Sequence, residues 1–330
     1  MNVVITGGAG FLGVALAKAL LQAKRVAGGL ISRLTLLDRV VPPGALLDDS
    51  RVAVATGDLV ELLEQGRALP PDTDLVFHLA AAVSSECEAD FDLGMRSNVR
   101  ATHLLLEACR ALCVASGKPP RLVFASSVAV FGGELPPVVQ DNTLPQPQSS
   151  YGIQKFIGEQ LVADYARKGF VDGRSVRLMT VSVRPGRPNG AASSFLSGII
   201  REPLAGERAI CPVSPDTVVA LSSPANSVAG LIKAADVDAD TWGSRTAMNL
   251  PALTVRVDDM LSSLQALAGL QAVQLIDWKP DATIQRIVGG WPSRIAATRA
   301  MAMGLVADAS FDEVIKSYVK NHPGAVKQTL

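Results

Sequence analysis

Two spacings of apolar residues take turns along this chain. Val3, Val4 and Ile5 form an unbroken apolar run, the mark of a strand covered on both faces. Glycines interrupt at Gly7, Gly10 and Gly13, and then Val14, Leu16, Ala17, Leu20 and Leu21 recur at helical spacing. Further apolar runs at 33–38, 52–55, 75–81 and 121–127 predict four more strands. Helical patterns cover 98–115 and run from Ser149 through Leu161 to Tyr165, while 42–50 reads as a loop. Strands separated in this way predict a parallel sheet with helices on both faces and its ligand at the carboxyl ends of the strands.

Beyond residue 175 the pattern loosens. A strand over 176–183 is followed by Arg184, Pro185 and Gly186, then by a helix that includes Ile199, Ile200 and Arg201. Helices over 227–235, 257–268 and 310–322, a late one within 294–305 and a strand over 245–249 predict a smaller mixed lobe. The fold class is therefore α/β: a Rossmann-type, doubly wound parallel sheet with a smaller C-terminal mixed α/β lobe for substrate. We assign 1–175 to a nucleotide-binding domain whose catalytic helix spans 151–168. Residues 176–330 are mainly the substrate lobe, with some segments returning to the first domain.

Composition narrows the class of partner. Lys and Arg number 31 and so do Asp and Glu, leaving no electrostatic footprint for nucleic acid or an anionic membrane. No apolar run approaches the ~18 residues of a membrane span, and a strand opening at residue 2 leaves no room for a leader. Cys87, Cys109, Cys113 and Cys211 form no CxxC pair, which points to buried, reduced thiols and away from a metal site. The expectation is a cytoplasmic enzyme with a small-molecule substrate.

The glycines carry the first chemistry. One makes the turn, one lets the backbone approach a pyrophosphate, and one lets helix pack on strand. The phosphates then meet free N–H groups at the positive end of the helix. An acid ~20 residues further on usually meets the adenosine ribose hydroxyls. Asp38 ends the second strand and fits that role, the excess length being a loop around Ala27, Gly28 and Gly29. A carboxylate there repels a 2′-phosphate and favours NAD over NADP, although Arg39 beside it could accommodate that phosphate. Tyr151 and Lys155, four apart, share one helix face. A cation beside a phenol lowers its pKa and would let it take a proton from a substrate hydroxyl. His78, at the end of a buried strand, reads as a hydrogen-bonded structural residue.

These pieces stand in an order that resembles the extended short-chain dehydrogenase/reductases, the NAD-dependent epimerase/dehydratase family. The matching stretches are Thr6 through Gly13, Asp38, Gly57 with Asp58 and Leu59, His78 through Ala81, Asn98 and Val99 with Thr102, Phe124 through Gly132, and Ser150 through Lys155. The resemblance implies that Phe11 and Leu12 lie over the pyrophosphate, that Asp58 and Leu59 bracket the adenine, and that Ala80 and Ala81 line the nicotinamide half. It makes Asn98 a support of the site and places Ser126 in the cofactor cradle. Ser127 would hydrogen-bond the reacting oxygen, Tyr151 would be the acid/base, and Lys155 would hold the nicotinamide ribose. Phe131 stands where the family often has Tyr. The helices near 99–108 and 154–165 commonly form a dimer bundle in this family, which implies a homodimer.

The substrate half departs from the nucleotide-sugar members. Their Asn-x-Tyr-Gly-Pro turn is replaced by Arg184, Pro185 and Gly186, and the connection to 218–226 is shorter. A small acid suits such a turn, because a carboxylate pairs with a planar guanidinium. Arg184, Arg187 and Arg201 are the candidates, with Asn189, Ser193 and Ser194 for hydroxyls. This half resembles a subgroup oxidising sugar acids, which implies NAD-linked oxidation at C2 to a 2-oxo acid. A nucleotide-sugar epimerase or dehydratase, and an NAD(P)-sensing regulator without turnover, are the alternatives.

Overall fold

A computed structural model describes residues 1–186 and 192–327. In chain order its main elements are β1 (Asn2–Thr6), α1 (Phe11–Ala23), β2 (Arg33–Asp38), β3 (Val52–Thr56), α2 (Leu59–Glu64), β4 (Leu75–His78), α3 (Ala101–Ser116), β5 (Arg121–Ser127), α4 (Ser150–Arg167) and β6 (Asp172–Leu178). The second half adds β7 (Thr180–Val181), α5 (Phe195–Leu204), β8 (Val218–Ser222), α6 (Pro224–Asp236), β9 (Met248–Asn249), β10 (Leu253–Arg256), α7 (Val257–Val273) and α8 (Phe311–Asn321).

Seven strands form one sheet in the order β9-β6-β5-β4-β1-β2-β3, and every pairing in it is parallel. Successive strand residues feed opposite faces, as the pleat requires. Val3, Ile5, Phe77 and Val123 pack with Leu16 and Leu20 of α1 and Leu231 of α6. Val4, Val76, Leu122 and Phe124 pack with Leu105 and Leu106 of α3 and Val162 of α4. The order reverses between β1 and β4, which opens the crevice where ligands of such sheets bind.

A second apolar cluster lies in the C-terminal half. It joins Leu196 and Ile200 of α5 to Met260 and Leu264 of α7 and to Val314 and Ile315 of α8. Its small sheet has the order β7-β8-β10, with β7 parallel and β10 antiparallel to β8. Helix α6 packs with α1, β5 and β6 on the large sheet.

The strand expected over 176–183 begins earlier and breaks. β6 starts at Asp172, Met179 leaves the ladder, and β7 joins the other sheet. Polar residues hide the start: Arg174 is fully buried and binds Asp172, and buried Arg177 binds Glu159. The strand expected over 75–81 ends at His78, and the one over 245–249 shrinks to Met248–Asn249. Within 294–305 a two-residue strand, Ile295–Ala296, precedes the short helix Thr298–Ala302. The helix expected from residue 98 enters through a π-helical stretch, Met95–Arg100. Among the described residues no helix is long and apolar enough to cross a membrane. All four cysteines are free.

Candidate active site

The turn after β1 is built by close approach. A Cβ on Gly13 would stand 2.1 Å from the Gly7 carbonyl oxygen, so α1 can start here only with glycine. Gly7 has φ +73°, and a side chain there would meet the Ala80 amide at 2.8 Å. Helix α1 has Gly10 as N-cap with no side-chain cap, and its first turn holds no acid. A helix start left open in this way is a receptor for an anion. Asp38 Oδ2 accepts from the Ala9 amide at 2.9 Å, which sets its carboxylate against the same turn. These features fit a dinucleotide.

Asp58 stands beside that end and caps α2, accepting from Val60 and Glu61 N–H at 3.0 and 3.3 Å. Its other oxygen takes Arg39 at 2.9 Å and Arg96 at 2.7 Å. Burial works against its charge, but hydrogen bonds from Arg96, Arg39 and the helix amides win and hold it down to about 2. Leu59 is the first residue of α2.

Behind the carboxyl ends of β1 and β4 runs a chain of hydrogen bonds with a determined proton order. Thr102 Oγ1 donates to the Asn98 carbonyl at 2.6 Å, so it accepts from His78 Nε2 at 3.0 Å. His78 Nδ1 is then the acceptor for the Thr6 hydroxyl at 2.7 Å, and Thr6 Oγ1 accepts from Ala80 N at 3.3 Å. Burial, with Lys155 nearby, drives the imidazole down to about 3, so it is neutral and structural. Asn98 clamps the strand end from the other side. Its Oδ1 accepts from Ala82 N at 2.8 Å, and its Nδ2 donates to Gln154 Oε1 of α4 at 2.8 Å.

Helix α4 is capped by Ser149, whose hydroxyl accepts from Gly152 N at 3.1 Å. A Cβ on Gly152 would lie 2.1 Å from the Ala129 carbonyl, and this close approach sets Tyr151 beside Ser127. Burial pushes the Tyr151 phenol up to about 12, against the opposing influence of the Ser127 hydroxyl beside it. Lys155 Nζ donates to the Ala125 carbonyl at 2.8 Å and sits 5.8 Å from the Tyr151 ring centre. Burial takes Lys155 down to about 8. The expectation that Lys155 lowers the Tyr151 pKa is thus corrected. Burial outweighs the opposing influences, which are the Ser127 hydroxyl and the Arg184 guanidinium.

Arg184 closes the far side. Its Nε donates to Val181 O at 2.9 Å and its Nη2 to Ser193 Oγ at 2.8 Å. No carboxylate lies within ion-pair distance of it among the described residues. Arg201 behaves differently: it pairs with Glu202 and donates to the Arg184 carbonyl at 2.9 Å. It buttresses the turn and does not line the cavity, so it is not placed to take a substrate carboxylate. Arg187 and Asn189 lie outside the described residues.

One cavity of 1610 Å³ joins these groups. Gly7, Gly10, Phe11, Leu12 and Gly13 line one end, Ser127, Tyr151 and Lys155 the middle, and Arg184, Ser193 and Ser194 the far part. Ala81 lines it; Ala80 is held behind by Thr6. Asp38, Asp58, Leu59 and Asn98 border the site without lining this cavity. Ser126 turns its hydroxyl inward onto Glu159 at 2.5 Å, beneath the site. Glu159 also binds Arg177 through two 2.8 Å contacts, and Phe131 packs its ring 4.8 Å from that guanidinium. Gln154, Arg96 and Glu159 are not legible in the sequence, which offers no spacing signal for polar partners drawn from different elements.

Fold, glycine turn and the Ser127, Tyr151, Lys155 grouping define an NAD-dependent enzyme, and the chain belongs to the NAD dependent epimerase/dehydratase family, whose family model matches residues 3–221. It is 53% identical over 328 residues to D-erythronate dehydrogenase of Cupriavidus necator, covering 97% of this chain and 98% of that protein. D-erythronate dehydrogenase of Haemophilus influenzae is 46% identical, at 97% and 99% coverage. Among solved structures, the nucleoside-diphosphate-sugar epimerase from Agrobacterium tumefaciens superposes with a TM-score of 0.91 at 38% identity, covering 98% of this chain and 95% of that one.

Proposed function

We propose that this NAD-dependent enzyme oxidises a small sugar acid at C2, of the D-erythronate to 2-oxo-tetronate type. The observation that carries the reading is Arg184, a cation without a carboxylate partner among the described residues, close enough to Tyr151 for each to shift the other's titration. A 2-hydroxy acid places its carboxylate one bond from the reacting carbon, which matches a guanidinium beside the phenol. The two D-erythronate dehydrogenases of similar sequence support the same reading.

Gly7, Gly10, Phe11, Leu12 and Gly13 would hold the pyrophosphate, Asp38 the adenosine ribose, Asp58 and Leu59 the adenine edge, Ala80 and Ala81 the nicotinamide half, and Lys155 the nicotinamide ribose. When bound, NAD supplies the hydride acceptor. Arg184 fixes the carboxylate and Ser193 and Ser194 the hydroxyls, while Ser127 orients the C2 oxygen. Tyr151 takes the hydroxyl proton as general base. The phenol first releases its own proton to solvent and acts as the phenolate; it then accepts the C2 hydroxyl proton while the hydride leaves C2, and Lys155, 5.8 Å from the ring centre, favours the phenolate charge. We further read 176–330 as mainly the substrate lobe, the protein as cytoplasmic, and the assembly as a homodimer through α3 and α4. Light scattering on the purified chain tests the last.

A second reading, a nucleotide-sugar epimerase, is favoured by the volume of the cavity and by the Agrobacterium structure. A panel of short aldonates with NAD and NADP decides between them. Net NADH with D-erythronate supports oxidation at C2. Conversion of a nucleotide sugar without net NADH overturns it.

A further inference from the structure

Two guanidiniums converge on one carboxylate at the adenosine end of the site. Arg39 and Arg96 both donate to Asp58 Oδ2, at 2.9 and 2.7 Å, while the amides of α2 occupy Oδ1. Arg96 also lies 3.6 Å from Glu61. Arg39 directly follows Asp38, and its amide donates to Asp38 Oδ1 at 2.7 Å. Four donors meet the Asp58 carboxylate, and both guanidiniums share its Oδ2. Of the two arginines, Arg39 is the more exposed, 60% against 36%. An arginine beside the acid that meets the adenosine ribose is the group that accommodates the 2′-phosphate of NADP. Here that cation is held elsewhere.

We propose that Asp58 is a specificity-determining residue: it withholds the Arg39 guanidinium from the adenosine 2′ position and so works with Asp38 to select NAD over NADP. Asp38 supplies the repulsion and Asp58 removes the group that would offset it. The inference rests on the NAD site assigned above, and the test separates the two: binding of neither dinucleotide by the parent protein would sink the site, whereas the ratio of affinities tests Asp58 alone.

The experiment measures dissociation constants of NAD and NADP by isothermal titration calorimetry on the full chain and on Asp58→Asn, Arg39→Ala and the double variant. Asn caps a helix as well as Asp does, so Asp58→Asn keeps α2 while freeing Arg39. The NADP-to-NAD affinity ratio is expected to rise about tenfold, the scale of one hydrogen bond to a charged group. The double variant should return to the parent ratio, and Arg39→Ala alone should leave NADP binding as it was. If Arg39→Ala weakens NADP in the otherwise parent chain, the guanidinium already serves the phosphate and the proposal fails. It fails equally if Asp58→Asn leaves the ratio unchanged or weakens both dinucleotides alike. The Arg39→Ala arm, on an exposed side chain, stands whether or not Asp58→Asn folds.

Discussion

Replacing Lys155 with Met should make the protein more stable and less active at once. The ammonium is buried, 3% exposed, and burial takes it from 10.5 down to about 8. Between those values the unfolded chain binds the proton and the folded chain does not, so the parent's stability rises with pH across that window. At pH 7 the buried charge costs about 3 kcal/mol, and at pH 9, where the folded lysine is already neutral, about 2 kcal/mol. Tyr151, pushed up to about 12, stays protonated in both states over most of this range and contributes little. Met fills the space of the lysine stem but leaves the Ala125 carbonyl without its donor, which returns about 1 kcal/mol. The variant should therefore exceed the parent by about 2 kcal/mol at pH 7 and by about 1 kcal/mol at pH 9. Urea unfolding at the two pH values reads the difference directly. A variant less stable than the parent at pH 7, or a gap that widens with pH, refutes the reasoning. Loss of NAD-linked turnover alongside the gain would mark the lysine as a group kept for function against stability.

Tyr151→Phe should bind NAD nearly as the parent does and lose roughly 10²–10⁴ in turnover, the usual share of a general base; retained turnover on an aldonate would remove the phenol from its role. Arg184→Met should lower kcat/KM for the acid roughly tenfold to a hundredfold through KM, and equal loss of NAD affinity by calorimetry would count against a carboxylate contact. Glu159→Gln leaves the buried Arg177 charge unpaired and should destabilise by about 3 kcal/mol or more, seen in the denaturant midpoint; a shift below 1 kcal/mol would mean that water or Asn249 can take over the pairing.

The large sheet was legible because a parallel strand covered on both faces writes an apolar run, and most of its strands do. β6 was misplaced for the converse reason. Arg174 and Arg177 look like surface residues in the sequence, yet Asp172 and Glu159 neutralise them inside. That the glycine turn, Ser127, Tyr151 and Lys155 meet at one cavity was legible because each sits at an end of a strand or on one helix face, where spacing carries direction. The arginines of the substrate half could not be ranked. Arg184 and Arg201 are equivalent in composition, and only the Glu202 next to Arg201 hinted that one of them is spoken for. Ser126 and Ser127 are adjacent, and strand alternation sends one hydroxyl to Glu159 and leaves the other to the cavity. Which of the two goes where is fixed by register.

The π-helical stretch Met95–Arg100 lets one element serve both ends of the dinucleotide site proposed above. Arg96 and Asn98 are two residues apart, a spacing that puts side chains on different flanks of a helix. Arg96 reaches Asp58, while Asn98 reaches Ala82 and Gln154. Wider turns of this kind are frequent at functional sites. The carbonyl of Asn98 also ends the Thr6–His78–Thr102 chain, which ties the same turn to β1 and β4. A substitution that restores an ordinary α-turn here would rotate Arg96 and Asn98 relative to each other, so it should disturb adenosine selectivity and nicotinamide placement together. Separate losses at the two ends would instead show that the stretch merely passes between two independent contacts.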